Sequence, residues 1–208
     1  MIKQLLFSLS SAAIIALSAG SYAAAQSDND AAMAAALETL DASLPGKLIN
    51  NPYDIQWRTD GSDKREKIVK SKGAPGGMAY SVTVKKTKPN HWDTATRIPM
   101  TTDIAKGDVI MVSFWARAAK LRKGKETGPI VAVLQRNVEP YDAIFEESVD
   151  LGKEWKLYSV AGKASRDYSA EKTNMAFNLA KAKQTIEFGQ FYVMNLGPNG
   201  DASKYIKN

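Results

Sequence analysis

Apolar and polar residues change their spacing once along this chain, at Pro45-Gly46. Ahead of that pair, Asp28 to Leu44 is rich in Ala, Leu and Met and predicts a helix with Asp30 as its N-cap, stopped by the Pro-Gly dipeptide. Beyond it, short β-type runs bounded by turn residues take over. Met78 to Lys85 alternates on Tyr80, Val82 and Val84 behind a Gly76-Gly77 turn, and Lys106-Gly107-Asp108 marks the turn into Val109 to Ala118. Ile130 to Arg136, Trp155 to Ala161, Asn174 to Ala180 and Gln184 to Asn195 follow, the last with Gly189 as a bulge or kink. With no internal repeat and no low-complexity linker, these runs predict one all-β domain, a β-sandwich over residues 46–208, preceded by an Ala-rich helical lead-in over 26–45.

Strand alternation also separates a core face from a candidate ligand face. In Val109 to Ala118, Ile110, Val112, Phe114 and Ala116 share one side, which places Ser113, Trp115 and Arg117 on the other. Ala132 and Leu134 facing the core put Val131, Val133 and Gln135 opposite, and Phe177 with Leu179 puts Asn178 opposite. Trp, Arg, Gln and Asn are the side chains that recognise sugars. A ring stacks on the apolar C–H face of a pyranose, while amides and guanidinium groups bond vicinal hydroxyls or a carboxylate in pairs.

Composition narrows the chemistry. The chain has 208 residues, 44% hydrophobic and 24% charged, with no Cys and a single His, His91. Cys nucleophiles, disulfides, iron–sulfur clusters and Cys/His zinc sites are excluded, and a metal would need oxygen ligands. At the N-terminus, Lys3, the mostly apolar run Leu5 to Leu17 and the small residues Ala23-Ala24-Ala25 read as a signal peptide over residues 1–25, too short and too broken by Ser to span a bilayer. A secreted or periplasmic protein is the expectation. Removing that leader takes away Lys3 alone among the charged residues, so the net charge falls from +6 to +5. Outside the cytoplasm such a basic excess suits acidic glycans or anionic lipid rather than DNA. Lys64 to Lys72 is mixed with Asp63 and Glu66 and reads as a solvated loop or edge strand. Lys120, Arg122, Lys123 and Lys125 around Gly124 read as an exposed hairpin tip, and neither stretch carries a nucleic-acid signature.

Several motifs in order resemble the carbohydrate-binding modules with the galactose-binding-like, jelly-roll β-sandwich that are attached to bacterial cellulases and xylanases. Leu48-Ile49-Asn50-Asn51-Pro52 followed by Trp57 resembles their opening, and Gly76-Gly77-Met78-Ala79-Tyr80-Ser81-Val82 resembles an early strand. His91-Trp92-Asp93 stands where that group often has Pro-Trp-Asp. Lys106 to Ala118, with Ser113-Phe114-Trp115-Ala116-Arg117-Ala118, Glu154-Trp155-Lys156-Leu157-Tyr158 and the closing strand to Asn195 complete the likeness. The resemblance implies a non-catalytic module that binds a polysaccharide or oligosaccharide in a shallow cleft of a concave sheet. It carries over to Trp115, Arg117 and Gln135 as cleft residues, with Trp92, Arg97, Tyr141 and Asn178 at the cleft or its rim, and makes Trp155 and Tyr158 structural. Such modules often hold a structural calcium, although no dense Asp/Asn run stands here; no other cofactor is expected. With no catalytic domain attached, the module would act alone or with a partner protein or enzyme in trans.

Two other classes stay open. One is a structural or protein-interaction sandwich of the cell envelope. The other is a polysaccharide lyase or hydrolase with His91 as base, Tyr141 or Tyr158 as acid, and Arg97 or Arg117 on a uronate carboxylate. The adjacent Glu146-Glu147 would point to opposite faces of a strand and cannot form a glycosidase pair. No phosphate loop and no Gly-x-Ser-x-Gly elbow is present.

Overall fold

The computed structural model describes residues 22–53 and 57–206. The expected leader, as far as residue 21, lies outside the described residues. One helix, α1 (Tyr22–Ser43), precedes eleven strands: β1 (Lys47–Leu48), β2 (Arg58–Gly61), β3 (Lys64–Lys70), β4 (Met78–Val84), β5 (Thr94–Pro99), β6 (Val109–Lys120), β7 (Gly128–Arg136), β8 (Ala143–Leu151), β9 (Lys156–Lys163), β10 (Thr173–Asn178) and β11 (Gln184–Asn195). The helix starts well ahead of Asp30, which therefore lies inside it and does not cap it. The Ala23-Ala24-Ala25 run, of high helix propensity, carries the helix further back than the N-cap reading allowed. No helix among the described residues is long and apolar enough to cross a membrane.

The strands form two antiparallel sheets, one ordered β3-β4-β11-β6-β9 and the other β2-β5-β10-β7-β8. β11 is flanked by β4 along its first half and by β1 at its end, and its register with β6 slips between Phe188 and Phe191, around Gly189. The inner faces interdigitate as alternation predicts. Ile110, Val112, Phe114, Ala116 and Ala118 of β6 meet Met175 and Phe177 of β10 and Ile130, Ala132 and Leu134 of β7. Phe177 is the hinge pin between the layers, stacked on Phe188 of the other sheet at 4.6 Å and tilted against Phe114 at 4.7 Å. Trp57 closes one end against Tyr80, Phe188 and Phe191.

Some elements differ from the sequence reading. The basic stretch after Lys120 is not a hairpin tip, because β6 and β7 belong to different sheets and the segment crosses between them. Strands β2, β5 and β8 carried no signal strong enough to read. β2 is the polar tetrapeptide Arg-Thr-Asp-Gly, β5 ends in Pro99, and the middle of β8 is the exposed Glu146-Glu147-Ser148.

The outer faces of the two sheets have different fates. Over β6, β9 and β11, Met111, Trp115, Tyr192 and Met194 form a second apolar layer, roofed by Leu40 and Leu44 at the end of α1 and by Leu196, Ala202 and Tyr205 of the C-terminal segment. The outer face of the other sheet carries no such roof among the described residues, and it holds the cleft.

A cleft on the β2-β5-β10-β7-β8 sheet

Three rows of side chains point outward from this sheet. Cross-strand register aligns Arg97, Ala176, Val133 and Glu146 in one row. Asn174 and Gln135 stand beside each other on one flank of that row, and Ala95, Asn178, Val131 and Ser148 on the other. Ala95, Ala176 and Val133 thus make a low floor that is itself buried, with amides on both sides of it. Above this floor lies a cleft of about 860 Å³ walled by His91, Trp92, Arg97, Gln135, Asn137, Tyr141, Glu146, Asn174 and Asn178. That size is typical of a site for a small molecule or a few sugar units.

Each wall has a local cause. Arg97 is steered by Asp60, whose carboxylate accepts from Arg97 Nε at 3.1 Å and from Arg58 Nε at 2.9 Å. Because only Nε of Arg97 is engaged among the described residues, its terminal nitrogens remain for the cleft. His91 and Trp92 belong to a single 3-10 turn, His91–Asp93, closed by reciprocal bonds between Asn90 and Asp93. Ring to ring at 4.7 Å and nearly perpendicular, His91 props Trp92, whose residue is 55% exposed. On the far side His91 Nε2 lies 3.3 Å from Glu146 Oε1, so the two reach towards each other across β10 and β7.

Tyr141, 54% exposed, faces them from the β7–β8 turn. Its backbone is left-handed, φ 56°, a conformation that costs a non-glycine residue on the order of 1 kcal/mol or more. Its neighbour Asp142 fixes the turn. Asp142 accepts from Tyr168 Oη and Arg166 Nε, each at 3.1 Å, and faces Arg136 Nη1 at 3.5 Å. Burial raises the pKa of this carboxyl, but the Tyr168 hydrogen bond and the two guanidinium groups outweigh it and hold it below the usual carboxylate range.

Inside the cleft the amides are under-used. Asn174 and Asn178 are 6% and 5% exposed, and the Oδ1 of each is buried with no hydrogen-bond partner among the described residues. His91 Nδ1 is in the same state. An unpartnered buried acceptor costs roughly 1–3 kcal/mol.

Of the seven residues expected at the site, Trp92, Arg97, Gln135, Tyr141 and Asn178 line this one cleft, and Trp115 and Arg117 do not. Trp115 is 6% exposed within the covered apolar layer, where the expectation placed an open ring. Arg117 is tied on the same covered face. Its Nε and Nη2 each lie 2.9 Å from Glu187 Oε2, its Nη2 also donates to Ser71 Oγ at 3.1 Å, and its guanidinium sits over Trp155 at 5.3 Å. Alternation placed both residues off the core, but a sandwich has two outer faces and here one of them is roofed. Tyr158 stacks on Phe114 and accepts from the Gly152 N–H at 2.9 Å, far from any cleft role. Asn137, Glu146 and Asn174 were missed. Asn174 was legible as the alternation partner of Asn178, whereas Glu146 and Asn137 needed β8 and its turn to be recognised. Among the described residues no three carboxylates or histidines converge where a metal could sit.

The chain matches no protein-family model and no curated protein sequence. Solved structures share its fold. A carbohydrate-binding module designated CBM4 is 17% identical over 67% of this chain and 94% of its own, with TM-score 0.53. The second N-terminal cellulose-binding domain of Cellulomonas fimi β-1,4-glucanase C is 18% identical over 73% of this chain and 92% of its own, with TM-score 0.53. An arabinose-bound α-L-arabinofuranosidase is 12% identical and also has TM-score 0.53; 74% of this chain matches, against only 26% of that larger enzyme. At these identities the likeness is one of fold: this chain shares the β-sandwich fold of these structures.

Proposed function

We propose that the protein binds polysaccharide in the cleft of the β2-β5-β10-β7-β8 sheet, as an exported module without catalytic activity. The observation that carries the reading is the presence of two half-exposed rings, Trp92 and Tyr141, on the walls of one cleft that is also lined by amides. Rings supply stacking for the C–H faces of sugars. Asn174, Asn178 and Gln135 supply paired donors and acceptors for vicinal hydroxyls. The unpartnered amide oxygens support this reading, because a hydroxyl donor would relieve their cost. Two structures that share the fold, a carbohydrate-binding module and a cellulose-binding domain, agree with it.

The test is retention of the chain on soluble polysaccharides in affinity gels. Trp92→Ala and Tyr141→Ala are each expected to weaken binding by about 5- to 30-fold, the equivalent of roughly 1–2 kcal/mol of stacking, with unchanged melting. Undiminished binding in both variants would contradict the reading.

A lyase reading has one observation in its favour: His91, Tyr141 and Arg97, a base, an acid and a carboxylate clamp, line the same cleft. It predicts unsaturated-uronate absorbance from acidic glycans that disappears in His91→Ala, and the binding reading predicts no such signal.

A further inference from the structure

The cleft does not end at Asn178. That residue also borders a shallow depression of about 160 Å³ with Val131, Ser148 and Lys181. The depression in turn shares Pro129, Asp150 and Lys181 with a trough of about 340 Å³ at the end of the sandwich. Two separate segments converge on this trough. The crossing from β6 to β7 brings Arg122 and Lys125, and the turn from β10 to β11 brings Lys181 and Lys183.

Four cations therefore face one carboxylate, Asp150. Among the described residues Arg122, Lys125 and Lys183 make no ion pair, and Lys181 Nζ donates to the neutral backbone carbonyl of Pro89. Elsewhere some lysines are compensated, Lys86 and Lys88 sharing Asp63 and Lys153 meeting Glu126. Others, such as Lys67 and Lys70 on β3, also make no ion pair among the described residues. What sets the trough apart is that four cations from two segments line one hollow. An uncompensated like-charged hollow creates a potential that attracts anions. Its lining contains no aromatic ring, whereas binders of single-stranded nucleic acid rely on ring stacking. Its continuity with the cleft through Asn178 and Lys181 points to one long occupant rather than two.

Resting on the binding reading above, we propose that the occupant is an acidic polysaccharide, with carboxylate or sulfate groups on its sugars. Its neutral ring faces lie between Trp92 and Tyr141, and the stretch beyond Asn178 lays its anionic groups along Arg122, Lys125, Lys181 and Lys183. At the junction stands His91, whose carbonyl accepts from the Ala180 N–H at 3.2 Å, one residue before Lys181.

The experiment titrates the full chain, the triple variant R122Q/K125Q/K183Q and the variant W92A with polygalacturonate, dextran sulfate and neutral mixed-linkage β-glucan, at about 0.1 M and about 1 M salt, where the screening length falls from about 10 Å to about 3 Å. The wild-type chain is expected to hold at least one acidic polymer about 10-fold or more tighter than β-glucan at the lower salt. That advantage is expected to vanish at high salt and in the triple variant, and W92A is expected to weaken the acidic polymer too. Preference for polygalacturonate or for dextran sulfate tells carboxylate from sulfate. The inference is overturned by an acidic polymer bound no tighter than β-glucan, by a triple variant that keeps the advantage, by acidic binding indifferent to W92A, or by oligo-dT competing as strongly as the acidic glycan. Retained, Trp92-dependent binding of β-glucan with no acidic advantage sinks this inference alone. Failure of every glycan to bind sinks the binding reading with it.

Discussion

Asn50 does with one amide what another residue of β1 would do with its backbone. Nδ2 donates to the Phe191 carbonyl at 3.1 Å, and Oδ1 accepts the Val193 N–H at 2.6 Å, in a residue 7% exposed. It therefore extends β1 along β11 just past the register slip. Asn50→Ala leaves both backbone groups buried and unpaired, and is expected to cost about 2–4 kcal/mol in denaturant melts, with m unchanged. Glu66 sets the acid limit in the same way. Burial raises its pKa, but hydrogen bonds from Lys64, Tyr80 and the Thr59 N–H outweigh that and bring it down to about 2. A carboxyl that is more acidic folded than unfolded contributes its stability above the unfolded value, near 4.5, and loses it as the pH falls towards 2. Melting temperature measured across that window should drop less in Glu66→Gln than in the wild type. Trp115 belongs to this scale as well. Because the residue is buried in the second apolar layer, Trp115→Ala is expected to cost about 3–5 kcal/mol of stability while leaving glycan affinity unchanged. A loss of affinity at full stability would return the site to the roofed sheet.

At the scale of elements, what was legible followed from period. β4, β6, β7, β10 and β11 alternate apolar with polar residues, and the core of the sandwich is their inner faces. β8 was hidden because its middle is exposed on a cleft wall, where Glu146 serves the site rather than the core. The same feature explains which site residues could be read. Gln135 and Asn178 lie on strands with clear periods, Trp92 came with a motif, and Arg97 was only implied as a rim residue by the resemblance. The fate of Trp115 depended on α1 and the C-terminal segment folding back over β6, a long-range contact that alternation within one strand does not encode. The β7–β8 turn supplies the element-scale prediction. Asp142→Asn removes the charge that Arg136 and Arg166 face, so Tyr141 loses its fixed perch. Glycan binding should weaken several-fold, although Asp142 itself is not among the residues lining the cleft.

Over the whole molecule, the two outer faces divide the work. One is sealed by α1 and the C-terminal segment and contributes a second apolar layer; the other keeps small residues on its floor and polar groups on its walls. At one end of the open face, four cations from two segments, Arg122, Lys125, Lys181 and Lys183, line one trough. The central claim, that the open sheet is the binding face, is tested most directly by following backbone amide resonances during titration with soluble oligosaccharides, neutral and acidic. The account predicts that the shifting amides cluster on β5, β7 and β10, with the His91–Asp93 and Tyr141 turns at their edge. Shifts centred on β6, β9 and β11 around Trp115 and Arg117, or no shifts with any glycan, would contradict it.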